Sequence, residues 1–273
     1  MSVATLTETP NAAARRITPG RVLRSEWIKL SGLRSTRITL AVSFVLMAGL
    51  GVLASAIINA RWPHMQPSDR AGFDPVATVL GGYQFAQLAV GVLGVLVITN
   101  EYSSGMIRAT LTAVPRRLPV LWAKAGVFTV ATLVAMTVAS FISFYAGMSL
   151  LSGRHLDLAL SSPGVLRAVV GAGLYLAVIG LLGVALGALL RSTAGAISSL
   201  VGMLMLLPIL MELLGGWFKD HIYPYLPSNA GGDLMAVQHT SGTLQPWTWF
   251  AVMCAWAVAA LALAVFGLRR RDA

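Results

Sequence analysis

Apolar residues in this chain neither alternate nor form the one-sided stripe of a soluble helix; they gather into long runs. Six runs stand out, at about 38–58, 77–99, 119–151, 163–190, 195–215 and 247–268. A hydrocarbon core ~30 Å thick is crossed by roughly 20 residues of helix. Inside a bilayer every backbone N–H and C=O must be satisfied within the chain, so runs of this kind are read as helices. The pattern predicts an all-α, polytopic membrane protein with six transmembrane helices.

The details of the runs predict more. The third and fourth exceed what a bilayer needs, which implies tilt or protruding ends. Only "RSTA", Arg191 to Ala194, separates the fourth from the fifth, so a tight hairpin is expected there. Pro208 should kink the fifth run. The fourth, "VVGAGLYLAVIGLLGVALGALL", is rich in small residues, and Gly183 and Gly187 have the spacing that lets helices approach closely. That approach is expected within the bundle or at a dimer seam.

Two polar intervals have a periodicity of their own. In "GRVLRSEWIKLSGLRSTR", Gly20 to Arg37, residues Leu23, Trp27 and Leu30 share one helical face, while Arg21, Arg24 and Lys29 point elsewhere. The pattern fits a helix lying in the membrane interface, or ordinary juxtamembrane charge. Arg34 falls over the stripe and ends it near Gly32. Residues 1–19, with Pro10 and Pro19, read as a flexible tail. Arg15-Arg16 and Ala54-Ser55-Ala56 imitate export and cleavage signals, but 37 residues precede the first run, and that run is too long for a signal core.

The second interval is "NEYSSGMIRATLTAVPRRLPVLWAK", Asn100 to Lys124. Ile107, Leu111 and Val114 share a face, with Met106 and Thr110 beside them and Arg108 and Thr112 on others. Gly105 breaks the chain before this stripe and Pro115 stops it. Arg116 and Arg117 then sit at a helix C-terminus, where cations gain about 0.3–1 kcal/mol. Pro119 suits the first turn of the next span. A short helix is expected here, joined closely to the second and third spans. It serves either as a handle for a partner or as a connector resting on lipid headgroups.

Composition agrees. Hydrophobic residues make up 56% of the chain and charged residues 11%, less than half the ~25% usual in soluble domains. Of twenty Lys and Arg, fifteen fall on one side if the N-terminus is cytoplasmic: Arg15, Arg16, Arg21, Arg24, Lys29, Arg34, Arg37, Arg108, Arg116, Arg117, Lys124, Arg191 and the tail residues Arg269, Arg270 and Arg271. Such an excess marks the cytoplasmic side. Both termini, including the basic tail at 269–273, are therefore expected inside. The net charge of +10 is topological and needs no nucleic-acid partner. Arginine outnumbers lysine 17 to 3, a bias suggesting a GC-rich bacterial genome and hence a bacterial cytoplasmic membrane.

Candidate chemistry is sparse. There is no H-E-x-x-H, and His64, His155, His221 and His239 are scattered over loops expected outside. Ser103 and Ser104 have no histidine on their side of the membrane to act as base. Cys254 lies inside an apolar run and reads as a small core hydrophobe. No phosphate-cradling G-x-x-x-x-G-K-[ST] loop occurs. An enzyme is not expected. Glu212 is the one acid clearly within a run; it is either an interfacial residue or the lever of a proton-coupled secondary transporter. The long interval 216–246 carries an aromatic belt of Trp217, Tyr223 and Tyr225, continued by Trp247 and Trp249. Pro224 and Pro227 are expected to interrupt regular helix there, while "AGGDLMAVQ" is expected to form a short one.

The Asn100–Lys124 interval resembles the loop between the second and third spans of permeases in type-2 ATP-binding-cassette exporters. Glu101, Gly105, Leu111, Pro115, Arg117 and Lys124 occur in that family's order; Met106 and Thr112 depart from it. "SEWIKL", Ser25 to Leu30, is similar to the elbow helix ahead of the first span there. "YLPSNAG", Tyr225 to Gly231, resembles an outer loop of actinobacterial members. The resemblance implies a half-transporter that binds no cofactor itself, paired as a homodimer or heterodimer and driven by a separate ATPase carrying ATP and Mg2+. It implies an ATPase-coupling segment of Glu101, Gly105, Ile107, Arg108, Leu111, Val114, Pro115, Arg117 and Lys124. It further implies an elbow helix of Leu23, Glu26, Trp27, Lys29 and Leu30, and a candidate outer gate of Glu212, Pro224 and Pro227. A lipophilic cargo fits the few polar residues inside the spans.

Overall fold

The computed structural model describes residues 19–103, 117–237 and 245–270. Gly105, Ile107, Arg108, Leu111, Val114 and Pro115 lie outside the described residues, as do the first 18 and the last three. The apolar runs fold as helices, and among the described residues there is no strand. Among the described residues six helices are long and apolar enough to cross a membrane, as a multi-pass membrane protein requires: Arg34–His64, Pro75–Ser103, Pro119–Arg154, Val165–Leu190, Thr193–Leu214 and Pro246–Gly267. Consecutive spans alternate in direction. The end that carries the N-terminal helix, the 103–117 junction and the Leu190–Thr193 hairpin is called proximal here, and the other end distal.

Span four is the axis. Of its most apolar stretch 78% is buried, against 11% for span five, so span five lies at the periphery. Glycine sets this order. A Cβ on Gly94 would strike the carbonyl of Gly180, and one on Gly183 the carbonyl of Gly91. Spans two and four thus meet backbone to backbone, which only small residues permit. Gly187 faces span two as well, 3.0 Å from a Cβ position to the Val95 carbonyl. The small-residue stripe of span four is used inside the bundle.

Several helices break, each for a local reason. Span two is split at Gly81-Gly82 into Pro75–Leu80 and Tyr83–Ser103. Asp74 caps the first piece, its Oδ1 accepting from the N–H groups of Val76 and Ala77 at 2.8 and 3.1 Å. The break frees carbonyls, and Ser143 of span three donates to that of Val79 at 2.5 Å, satisfying it inside the bundle. Span three runs unbroken over Arg117–Leu151 with Pro119 in its first turn; its 35 residues extend about 52 Å at 1.5 Å per residue. Span four ends with Arg191 in the left-handed region (φ 53°), and Ser192 caps span five by accepting from Gly195 N–H at 3.3 Å. That is the tight hairpin expected from "RSTA". In span five the effect of Pro208 takes the form of a π-helical turn at Gly202–Leu206 ahead of Leu207–Leu214. Proline lacks the N–H and crowds the carbonyl four residues back, so the ladder widens locally.

At the proximal end a helix spans Pro19–Gly32, Leu33 is extended (φ −80°, ψ 120°), and the first span starts at Arg34 rather than at 38. At the distal end the prolines start helices instead of interrupting them. Pro224 lies in the first turn of a 3-10 helix, Tyr223–Tyr225, and Pro227 opens Pro227–Met235; at that position a missing N–H costs nothing. This corrects the expectation that the helix here would begin at Ala230. Arg167 holds its C-terminus, donating to the carbonyls of Leu234 and Ala236 at 2.5 and 2.8 Å, where a cation also meets the favourable end of the helix dipole. Trp256 donates to the Tyr225 carbonyl at 2.9 Å. The distal segment is thereby pinned to spans four and six.

Candidate functional site

Four charged side chains from three elements close into a ring at the proximal end. Lys29 Nζ lies 2.7 Å from Glu26 Oε1 and 3.2 Å from Glu101 Oε1. Lys124 Nζ lies 2.8 Å from Glu26 Oε2 and 2.9 Å from Glu101 Oε1. Acid and base alternate around the ring, so its net charge is zero. Glu26 and Lys29 come from the N-terminal helix, Glu101 from the last turns of span two, and Lys124 from the start of span three. The side chains of Glu26, Glu101 and Lys124 are 3–7% exposed, and that of Lys29 is 35%.

Why these residues meet follows from helix geometry. Val22, Glu26 and Lys29 recur at i, i+4 and i+7 and share one face; Val22 and Glu26 are buried, while Leu23 and Trp27 are 44% and 53% exposed. The N-terminal helix therefore turns its acid inward and its Leu23–Trp27 edge outward, with Leu30 packed partly against the core around Ile98 and Leu121. Lys29, expected to point away with the surface bases, is instead drawn in by the two carboxylates. Burial alone would raise the pKa of Glu26, but the charge and hydrogen bonding of Lys124, with those of Lys29, outweigh it and hold the carboxyl below its ordinary value. Burial alone would lower that of Lys29, but its hydrogen bond to Glu26 and the charges of Glu101 and Glu26 raise it above the ordinary lysine value.

The ring has company. A cavity of about 420 Å³ opens beside it, lined mostly by apolar side chains such as Ile28, Leu33, Leu93 and Val97. At the residue next to Glu101, the Arg191 guanidinium lies over the ring of Tyr102 at 5.5 Å, a cation–π contact that ties the span four–five hairpin to the end of span two. Glu101 and Tyr102 precede, and Lys124 follows, residues 104–116, the part of the expected Glu101–Arg117 coupling segment that lies outside the described residues.

Arg117 stands in the first turn of span three. Glu212 is exposed on the last turns of span five, far along the chain from the ring and on the least buried span. Pro227 is buried and Pro224 half-buried in the distal segment, well away from the other candidates. Sequence reasoning named all four members of the ring without pairing them, and it missed the contact of Arg191 with Tyr102. Among the described residues no three His, Cys, Asp or Glu side chains come together as metal ligands. No protein-family model matches the chain, and no curated protein matches its sequence.

Chemically, the ring binds no further ion readily, because each charge already has two opposite partners. What it does is fix position. Removing one of its three buried members, Glu26, Glu101 or Lys124, leaves an uncompensated charge and costs about 3–5 kcal/mol, so the ring fixes the N-terminal helix against the facing ends of spans two and three.

Proposed function

We propose that this chain is the membrane-spanning half of an ATP-driven exporter, moved by a separate ATPase that docks on the segment from Glu101 to Arg117. The observation that carries the reading is the buried ring of Glu26, Lys29, Glu101 and Lys124. It joins the N-terminal helix to both helices that flank the docking segment, so a push on that segment reaches three elements at once. On the positive-inside argument the proximal end faces the cytoplasm of a bacterial cell, where ATP and Mg2+ are bound by the partner. The N-terminal helix acts as an interfacial elbow, with Leu23 and Trp27 toward lipid. A second permease, identical or similar, completes the pathway, and the cargo is lipophilic. A proton-coupled carrier is less well supported: Glu212, the lever it needs, is exposed on the most peripheral span.

The test is purification from the native membrane. The unaltered chain should bring down an ATP-hydrolysing subunit, identified by mass spectrometry, in near-stoichiometric amount. Leu111→Asp should cut that recovery by about tenfold or more, since a helix-in-groove contact depends on its apolar anchors. Undiminished recovery with Leu111→Asp would remove the docking claim.

A further inference from the structure

The N-terminal helix and the first turn of span one hold five bases, Arg21, Arg24, Lys29, Arg34 and Arg37, against one acid, Glu26. The ring takes up Lys29 and Glu26 together. Four exposed arginines remain on this surface, and none of them forms an ion pair among the described residues. Two of the four, Arg34 and Arg37, stand at the head of span one beside the cavity of about 420 Å³. Arg34 lies between Leu33 and Ser35, and Arg37 follows Thr36; all three of those neighbours line the cavity. The rest of the lining is chiefly apolar: Ile28 of the N-terminal helix, Leu93, Leu96 and Val97 of span two, and Val127 of span three. Ile28 and Leu33 are more than half exposed, so the wall they form is the open side. Leu33 offers span one no side-chain cap, and the positive end of that helix adds to the field of the arginines.

We propose that this cavity binds one anionic phospholipid, with an acyl chain along the apolar walls and the phosphate held by Arg34 and Arg37. Basic pockets between membrane helices at the cytoplasmic face suit acidic lipid headgroups. A zwitterionic lipid would fill the same walls, but its own ammonium offsets its phosphate and it gains little from four arginines. A free phosphate ion would meet the arginines and gain nothing from the apolar lining. The ring on the cavity wall has no net charge, so it neither repels the headgroup nor competes with it. A bound chain would fill the fork between the N-terminal helix and span one, which only the extended Leu33 joins. The site stands on the charge and shape of the proximal end and is independent of the exporter reading.

The experiment uses the purified full chain in detergent, without any ATPase. Native mass spectrometry counts the lipids retained after addition of dioleoyl phosphatidylglycerol or dioleoyl phosphatidylcholine, which share their acyl chains and differ in headgroup charge. One phosphatidylglycerol per chain is expected at about a tenth of the concentration that phosphatidylcholine requires, and inorganic phosphate should not displace it. Arg34→Gln combined with Arg37→Gln should abolish that roughly tenfold preference; both side chains are exposed, so the bundle stays intact. Arg61→Gln, which removes an exposed base at the distal end, should change nothing. Val97→Phe should lower retention of both lipids by filling the cavity, and Ser35→Trp, at an exposed lining position, decides the matter if Val97→Phe fails to fold. Equal retention of the two lipids, a preference that survives the loss of Arg34 and Arg37, displacement by inorganic phosphate, or retention untouched by the filling substitutions would overturn the proposal. Loss of the lipid preference beside intact ATPase recovery would remove this site and leave the exporter reading; the reverse pair of results would remove the exporter reading and leave the site.

Discussion

Lys124 is the residue on which the proximal end depends most. It is buried and bonds to both Glu26 and Glu101, so Lys124→Met would leave two carboxylates sharing only Lys29. We expect a loss of about 3–5 kcal/mol, read as a lower unfolding temperature in detergent. Lys29→Met should cost less, about 1 kcal/mol or under, because solvent already screens a side chain about one-third exposed. The pH dependence has a definite sign. The lowered pKa of Glu26 contributes stability above its ordinary 4.5 that is lost as pH falls through the depressed folded value. The raised pKa of Lys29 contributes stability below its ordinary 10.5 that is lost as pH rises through the elevated folded value. The contribution of these two groups to unfolding should therefore be flat between those limits, and Lys124→Met should flatten the acid limb. A wild-type limb that the substitution leaves in place would assign the acid sensitivity to other groups.

At the scale of the element, close packing of spans two and four fixes the bundle, and it does so through glycine. Gly183→Val should destabilise by about 1–3 kcal/mol or more, because the added carbons meet the Gly91 carbonyl and neither backbone can yield alone. Gly126→Ala is the matched control. Nothing lies within 4 Å of a Cβ there, so it should be neutral or mildly stabilising as a helix-interior glycine is relieved, by about 0.5–1 kcal/mol. Thermal unfolding of the pair checks both; equal effects would mean that the glycines of span four are not the contact surface. Elements were also the most legible part of the sequence. Six spans, the hairpin at Arg191–Ser192 and the early Pro119 follow from hydropathy and from what proline can and cannot do. The direction in which the N-terminal helix faces was not legible. Its Leu23–Trp27–Leu30 stripe is visible by eye, whereas the face that packs contains Glu26 and Lys29, whose partners on other spans, Glu101 and Lys124, lie 72 or more residues away. Local periodicity carries no record of such pairing. The start of Pro227–Met235 was misjudged because proline can open a helix as readily as end one, and the segment is held where it is by Trp256 of span six, which donates to the Tyr225 carbonyl, and by Arg167 of span four, which donates to the carbonyls of Leu234 and Ala236.

For the whole molecule, the two ends have different characters. The proximal end is tied by charge: the four-membered ring and the stacking of Arg191 on Tyr102 join the N-terminal helix with spans two to five. The distal end is tied by backbone carbonyls, which accept from Arg167 and Trp256, and by tyrosines. Span four, with its buried Tyr175 and its glycine face, connects them. Around this axis the outward residues are apolar: Val130, Val134, Val138 and Ile142 recur along span three at 46–60% exposure, a stripe suited to contact with lipid. On the proposed reading, a force applied between spans two and three reaches the distal segment Tyr223–Met235 through spans two and four. The measurement that tests this proposal most directly is hydrogen–deuterium exchange over Tyr223–Met235 in the chain purified together with the proposed ATPase, with and without trapped ATP. The account predicts that ATP on the partner changes exchange in this distal segment, and that Lys124→Met abolishes the change while leaving the ATPase bound. Identical exchange with and without ATP, or a change produced in the solitary chain by a proton gradient alone, would contradict it.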